Sequence, residues 1–256
     1  MNTNTLKTIL VILMLVIAGY LIFFRLPDNK IVVDNPTLVD DTEDTSNENT
    51  EKGLWEDEIS DYYEIKYDLD GISDENVVAD IDRWISDRVY QFKKDGNFQN
   101  LSPQDIETLG FNKGMKYSIN FKYDLHESKT IKSYILRTEY FTGGAHGNVE
   151  IISFNYEKEN NKRLGLNDMF KKPAEQYLSV LAALGDKYFN GKYGEAFFPE
   201  GVSATPANFG VWYTDDEKIT FVFQPYQVAP YAYGIPEFPV VATGVSDFIN
   251  LDYFAK

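Results

Sequence analysis

Hydrophobic and polar residues alternate along several stretches after residue 55, a pattern typical of β-strands with one buried face. The strictest alternation is in residues 115–125, MKYSINFKYDL, where every second residue from Met115 is apolar or aromatic. This stretch predicts a half-buried antiparallel strand. Similar runs predict further strands at residues 62–69, 131–141, 148–157 and 237–243, and a hairpin of residues 209–214 and 218–224 over TDDE.

Helical spacing of apolar residues occurs twice. One face carries Val77, Ile81, Trp84, Ile85, Val89 and Phe92, with Gly96 placed to end the helix. A second helix is predicted at about residues 173–189, with an inward face of Tyr177, Leu178, Leu181, Leu184 and Tyr188. Between them, SPQD at 102–105 has the capping residues of a short helix that ends near Gly110. The predicted class is α+β, with a mostly antiparallel sheet and two main helices.

The N-terminus carries a long apolar run. Residues 8–24, TILVILMLVIAGYLIFF, are uncharged and lie between Lys7 and Arg25. At about 1.5 Å per residue, a helix of this length just about crosses the hydrocarbon core of a bilayer when Lys7 and Arg25 extend to the two interfaces. A cleaved signal peptide is the alternative, but no small-x-small cleavage site follows Phe24. We therefore predict a membrane anchor at 1–26, with the folded domain extracytoplasmic.

An acidic segment follows the anchor. Between Asp34 and Asp61 the chain has eleven acidic residues and one lysine. A segment so charged buries too little apolar surface to offset its ordering entropy, so residues 27–54 are predicted to be a disordered linker. The folded part is then divided into a small α+β subdomain at 55–142 and a C-terminal α+β module at 143–256.

Composition excludes several classes of function. The formal net charge of −16 disfavours nucleic acid, because the phosphate backbone would be repelled. The chain has no cysteine, so disulfides, thiolate chemistry and cysteine-ligated zinc are excluded. The chain has no catalytic motif such as GxSxG, HExxH or a phosphate loop. We therefore expect that the protein is not an enzyme and that it binds neither a cofactor nor a metal.

A glycine-rich turn is the first candidate functional site. Residues 140–148 read YFTGGAHGN, and Gly143, Gly144 and Gly147 permit positive φ and close backbone approach. His146 either bonds a nearby backbone carbonyl and fixes the turn, or contacts a ligand. Metal binding is a poor interpretation, since the chain's other histidine, His126, is not at ligand spacing.

A tyrosine- and proline-rich tract is the second candidate. QPYQVAPYAYGIPEF at 224–238 places Tyr226, Tyr231 and Tyr233 among three prolines, which predicts an ordered loop or an edge rather than a central strand. The rings either anchor a protein or sugar ligand or pack over the sheet as a second layer of core. Trp212 completes the ligand-binding candidates.

Three tracts in this order resemble a known family: SYILRTEYFTGGAHGN, then RLGLNDMF, then ITFVFQPYQVAPYAYGIPEFPV. The extracytoplasmic domain of the RsiV-type anti-sigma factors is similar, and the same domain is fused to some peptidoglycan deacetylases. The resemblance covers about residues 62–248 and implies a domain that senses lysozyme by binding it. Only MNTNTLK precedes the apolar run, so we do not expect an anti-sigma factor.

These observations predict a membrane-anchored, extracytoplasmic binding or sensing module of the bacterial cell envelope. Its ligand would be a lysozyme-like protein or a cell-wall glycan such as peptidoglycan. The alternative is an envelope hydrolase that uses His146 with a carboxylate. The two hypotheses differ in one geometric requirement, because the hydrolase needs an acidic side chain within hydrogen-bond reach of the imidazole.

Overall fold

A computed structural model describes residues 54–254 of the chain. The predicted membrane anchor at 1–26 and nearly all of the predicted linker at 27–54 lie outside these residues. Among the described residues, none of the helices has the length and apolar character needed to cross a membrane. The predictions for the N-terminus therefore remain predictions.

The first sheet has six strands that are hydrogen-bonded in sequence order. They are β1 (Glu58–Ile59), β2 (Tyr63–Asp68), β3 (Tyr117–Glu127), β4 (Ile131–Phe141), β5 (Asn148–Glu157) and β6 (Arg163–Leu164). All neighbours are antiparallel except β2 and β3, which are parallel. β3 is antiparallel to β4, as predicted, but parallel to β2, so the sheet is mixed. The long connection between β2 and β3 makes the parallel pairing possible, because parallel strands need a crossover.

Two helices form that crossover: α1 (Glu75–Gly96) and α2 (Pro103–Thr108). The Asp74 carboxylate caps α1 by accepting hydrogen bonds from the backbone N–H groups of Asn76 and Val77, at 3.0 and 3.2 Å. Ser102 and Asp105 form the predicted capping box of α2. The buried residues of α1 are Val77, Ile81, Ile85 and Phe92, and they share one core with Ile65, Ile119, Phe121, Leu136 and Phe154 of the sheet.

The second layer combines one helix with a three-stranded sheet. Helix α3 (Ala174–Tyr193) shares a core with β7 (Trp212–Thr214), β8 (Lys218–Val222) and β9 (Glu237–Val241). Tyr177, Leu178 and Leu181 are buried as predicted, but Leu184 is 37% exposed and Gly185 takes the inward position. A Cβ at Gly185 would lie 3.3 Å from Val202 Cγ1. The prediction that Leu184 faces inward is wrong, because the buried face continues from Leu181 to Gly185 and Phe189 at a spacing of four residues. At Gly185, Val202 leaves no room for a large side chain.

The two sheets meet where β7 packs against β4 and β5. The Trp212 backbone N–H donates to Ser153 Oγ at 3.1 Å, and the His126 and Tyr213 rings stack with centroids 3.7 Å apart. Strands β4 and β5 pair from Ile131 with Glu157 to Tyr140 with Asn148. Hydrogen bonds therefore cross the predicted boundary between residues 142 and 143.

The Thr214 hydroxyl provides a test of this packing. Thr214 is fully buried, and its hydroxyl has no hydrogen-bond partner within the described part of the chain. We expect Thr214→Val to raise the free energy of unfolding by about 1 kcal/mol, because valine has a similar shape and no polar atom to desolvate. Thr130→Val is the matched control: the Thr130 hydroxyl donates to the Tyr253 carbonyl at 2.7 Å, so this variant should lose stability. Urea denaturation measures the free energy of unfolding of both variants. A lower value for Thr214→Val than for the parent would show that the Thr214 hydroxyl is hydrogen-bonded in solution.

Candidate functional site: an aromatic ledge at the β4–β5 turn

The turn between β4 and β5 requires glycine at three positions. Gly143 and Gly144 have φ values of 88° and 104°, in the left-handed region that favours glycine. Position 147 requires glycine for a different reason, because a Cβ there would lie 2.7 Å from the Tyr140 carbonyl oxygen. The turn thus uses positive φ and close approach, the two properties expected of these glycines.

His146 lies exposed at the tip of this turn. Its Nδ1 is 2.8 Å from the Gly147 carbonyl oxygen, so a proton on Nδ1 is donated to the backbone. Its ring stacks on Tyr231, with centroids 4.6 Å apart and an interplanar angle of 21°. The backbone bond agrees with the turn-fixing interpretation, while the exposed ring remains free to contact a ligand.

Tyr231 continues the surface from the turn onto the tyrosine-rich tract. It is half-buried, and its hydroxyl donates to the Gly147 carbonyl at 3.4 Å. The Tyr226 ring lies 5.5 Å from the Tyr231 ring and is 53% exposed. We call the three rings of His146, Tyr231 and Tyr226 the aromatic ledge. It brings together the two tracts that the sequence analysis identified separately.

Two glutamines hold the ledge in place. The Gln224 side chain accepts from the Ile151 N–H at 2.9 Å and donates to the Ile151 carbonyl at 2.6 Å. The Gln227 amide donates to the backbone carbonyls of Gly201 and Asn208, at 2.9 and 3.2 Å. Tyr226 lies between these anchored residues with φ of 67°. A backbone so constrained presents the tyrosine with little conformational freedom to lose on binding.

The remaining candidates lie elsewhere. Tyr233 is 50% exposed and packs edge-on against Tyr193 of α3, with centroids 4.9 Å apart. Trp212 is 2% exposed and belongs to the core beneath α3. Its ring is not accessible to a ligand, so the assignment of Trp212 as a binding residue is corrected. Side chains alternate between the two faces of β7, so Trp212 is buried against α3 while Tyr213 faces the first sheet.

The acidic residues near the ledge have structural partners. Arg88 donates two hydrogen bonds to the Glu150 carboxylate, at 2.8 and 2.9 Å, and stacks over the Trp84 ring. The Tyr140 hydroxyl donates to the same carboxylate at 3.1 Å. Burial, with the neighbouring Glu150 charge, raises the pKa of Tyr140 well above its ordinary value. This network ties α1 to the sheet.

Neither histidine forms a catalytic or metal-binding pair with an acid in the described structure. The hydrogen bond of His146 goes to a backbone carbonyl and not to a carboxylate. Burial against Tyr213 lowers the pKa of His126, so its imidazole is held neutral. No three His, Cys, Asp or Glu side chains among residues 54–254 are grouped so that they would hold a metal ion. The geometry required by the hydrolase alternative is therefore not present in this part of the chain.

Comparison with known proteins identifies a domain that includes two of the three residues of the aromatic ledge. A family model described as "Protein of unknown function (DUF3298)" matches residues 167–241, so a DUF3298 domain is found there. The match includes the tyrosine-rich tract with Gln224 and Gln227 but excludes His146. The broader family is thus supported, whereas the finer RsiV-type assignment stays a prediction.

A curated relative is the peptidoglycan-N-acetylmuramic acid deacetylase PdaC of Bacillus subtilis (strain 168). It is 23% identical over 198 residues, which are 76% of this chain and 40% of the relative. The chain therefore spans less than half the length of the relative that it matches. The similarity relates this chain to a cell-wall protein.

Two solved structures are also similar. A DUF3298 family protein from Pseudomonas aeruginosa PAO1 aligns with a TM-score of 0.42 and 20% identity, over 60% of this chain and 72% of that one. A DUF3298 family member from Bacteroides fragilis NCTC 9343 aligns with a TM-score of 0.47 and 18% identity, over 70% of this chain and 71% of that one.

Sequence reasoning missed the residues that hold the ledge. Gln224 and Gln227 flank Pro225 and Tyr226 in QPYQ, but glutamines in a loop are ordinarily solvated, so the pattern gave no reason to single them out. Gly201 lies outside both candidate tracts. Its part in the site depends on a contact with a loop that is distant in sequence.

Proposed function

We propose that the protein is a binding module of the bacterial cell envelope and that its aromatic ledge binds the glycan of peptidoglycan. The observation that carries the proposal is the exposed, continuous row of Tyr226, Tyr231 and His146 rings on an anchored backbone. Aromatic faces offer apolar contact area, while hydroxyl and imidazole edges offer hydrogen bonds. Sugar rings have both apolar faces and polar edges, so this surface matches their chemistry.

The similarity to a peptidoglycan deacetylase supports the choice of glycan. It does not supply an activity to this chain, because the matched part covers 40% of that relative. The His146 imidazole is engaged by backbone and by Tyr231 in the described structure. Binding therefore accounts for the site better than hydrolysis does.

Membrane anchorage through residues 8–24 is part of the proposal. An anchored module with an extracytoplasmic domain would hold the ledge next to the cell wall. A flexible linker of the length of residues 27–54 would extend about 30 Å root-mean-square, so the domain would sample the space near the membrane surface. The apolar run at residues 8–24 supports this arrangement.

A lysozyme-like protein is the second candidate ligand. The resemblance to RsiV-type domains favours it, and so does the net charge of −16, which would attract a cationic protein. Exposed charges are screened beyond about 8 Å at physiological ionic strength, so the association rate with such a partner should fall as salt rises. Glycan binding through stacked rings should depend much less on salt.

Removal of an exposed ring tests the ledge. We expect Tyr226→Asn to weaken binding of the full chain, purified in detergent, to insoluble peptidoglycan by about two- to thirteenfold, since a stacked ring contributes about 0.5–1.5 kcal/mol. Asparagine tolerates the left-handed conformation of residue 226, so the backbone is retained. Co-sedimentation measures the bound fraction.

Tyr90→Asn is the matched control, because Tyr90 is 60% exposed on α1, away from the ledge. It should leave binding unchanged. Salt-sensitive binding to a cationic lysozyme without binding to peptidoglycan would favour the second candidate. Absence of both, or equal effects of the two substitutions, would refute the ledge as a ligand site.

A further inference from the structure

One backbone oxygen sets the direction of the hydrogen bonds at the turn end of the aromatic ledge. The Gly147 carbonyl oxygen accepts from His146 Nδ1 at 2.8 Å and from the Tyr231 hydroxyl at 3.4 Å. A carbonyl oxygen carries no proton, so both bonds require the ring group to be the donor. The proton of the neutral imidazole is therefore on Nδ1, and the Tyr231 hydroxyl proton is directed at the same oxygen.

The strands fix the position of this oxygen. Tyr140 and Asn148 form the last pair of β4 and β5 before the turn, and Gly147 directly precedes Asn148. The place that a Cβ of Gly147 would take is occupied, because it is 2.7 Å from the Tyr140 carbonyl oxygen. The acceptor that orients the imidazole thus lies at the end of a paired ladder.

His146 Nε2 consequently remains an acceptor. In a neutral imidazole with its proton on Nδ1, Nε2 has a lone pair and no hydrogen. The His146 side chain is exposed, and Nε2 is the ring nitrogen directed away from the Gly147 carbonyl. The Tyr231 oxygen, whose proton is also used by that carbonyl, offers lone pairs beside it. A ligand that fits this end of the ledge must therefore supply a hydrogen-bond donor.

The titratable neighbour of the imidazole is Tyr231, on which it stacks. The turn at 142–148 and the tract at 224–236 contain no charged residue. On the strands that lead into the turn, Glu139 pairs with Lys122 at 3.0 Å and Glu150 pairs with Arg88 at 2.8 Å. The acidic side chains nearest in sequence are thus held by cations of their own.

We propose that the ledge selects N-acetylated sugars, an inference that rests on the proposed glycan binding, and that the acetamido N–H of the sugar donates to His146 Nε2. An amide N–H is always a donor, so it matches a position that offers only acceptors. The acetamido methyl group adds apolar contact with the neighbouring tyrosine rings. A sugar hydroxyl in the same place could also donate, but it lacks this methyl group.

The same geometry predicts that binding depends on pH. An imidazole changes charge between about pH 5 and about pH 8, and the cation has an N–H at both nitrogens and no lone pair. An amide N–H cannot accept from Nε2–H, so acidification should weaken binding of an acetylated sugar. A hydroxyl can reverse its role, so binding through a hydroxyl should persist.

Two tetrasaccharides distinguish these donors. Isothermal titration of the full chain in detergent would compare N-acetylchitotetraose with cellotetraose, which has hydroxyl groups in place of the acetamido groups. We expect the acetylated probe to bind at least about fivefold more tightly at neutral pH, the equivalent of one neutral hydrogen bond. Its affinity should fall by about the same factor between about pH 7.5 and about pH 5.5.

Variants of His146 separate its roles. His146→Phe keeps an aromatic ring beside Tyr231 but removes the acceptor, so it should lose both the preference for the acetylated probe and the pH dependence. His146→Gln keeps an acceptor oxygen that does not titrate, so it should retain the preference and lose the pH dependence. Tyr90→Asn is the control on α1 and should retain both. Thermal melting at each pH verifies that the variants are folded.

The proposal would be overturned by equal affinity for the two tetrasaccharides, by no heat with either one, by an unchanged preference in His146→Phe, or by a pH dependence that persists in His146→Gln. Tyr226→Asn separates such a failure from that of the proposed function. If this variant binds peptidoglycan more weakly than the parent while His146→Phe binds like the parent, the ledge remains a glycan site and only the acetamido assignment fails.

Discussion

Replacing Phe189 with alanine is expected to lower the free energy of unfolding by about 3–5 kcal/mol. Phe189 is fully buried on α3, and its ring contacts aromatic rings from several elements. The centroid distances are 5.1 Å to Phe223, 5.6 Å to Tyr193, 6.0 Å to Phe238 and 6.1 Å to Phe197. The substitution removes both the buried area and these ring contacts, and rigid β-strands beneath α3 limit collapse around the cavity.

Leu184→Ala supplies the control on the same helix. Leu184 is 37% exposed, so the same change to alanine should cost less than about 1 kcal/mol. Urea denaturation, followed by tryptophan fluorescence, measures both values. Similar losses for the two variants would contradict the assignment of the inward face of α3.

Replacing Gly201 with alanine is expected to lower stability by about 3 kcal/mol, although it adds a single methyl group. A Cβ on this buried glycine would lie 1.9 Å from the Gln227 carbonyl oxygen and 2.7 Å from its carbonyl carbon. The clash is with backbone, which cannot rotate away as a side chain does. Because Gln227 anchors the ledge, we also expect Gly201→Ala to weaken ligand binding through the displaced loop.

Gly191→Ala is the matched comparison, with the opposite expected sign. Gly191 lies in α3, and a Cβ there would meet no atom within 4 Å among the described residues. Alanine is favoured over glycine inside a helix, so this variant should gain about 0.5–1 kcal/mol. Thermal melting measures whether each variant is more or less stable than the parent. An unchanged melting temperature for Gly201→Ala would show that the loops of Gly201 and Gln227 are farther apart than described.

Local patterns determined most of the secondary structure. The alternation at 131–141 and 148–157 predicted β4 and β5 with the bounds that the structure has. The Ser102 capping box and the glycines of the β4–β5 turn were also predictable, because caps and positive φ depend on residues adjacent in sequence. These features need no knowledge of distant parts of the chain.

Pairing and burial required the tertiary structure. The parallel register of β2 with β3, for example Ile65 with Ile119, depends on how α1 and α2 return the chain to the sheet. That the inward position 185 has no room for a large side chain depends on Val202. Periodicity identifies which residues can lie on one face, but the neighbour that packs against that face decides how large they can be.

The sequence by itself determined that the chain has an apolar N-terminal run, an acidic segment and an α+β domain with two unusual tracts, 140–148 and 224–238. The tertiary structure alone decided that His146 and Tyr231 stack, that Gln224 and Gln227 hold the loop, and that Trp212 is core. The physical reason is that these side-chain contacts join residues distant in sequence, from 26 positions for Gln227 with Gly201 to 84 for Tyr231 with Gly147. They follow from the packing of the whole domain, which local propensity does not encode.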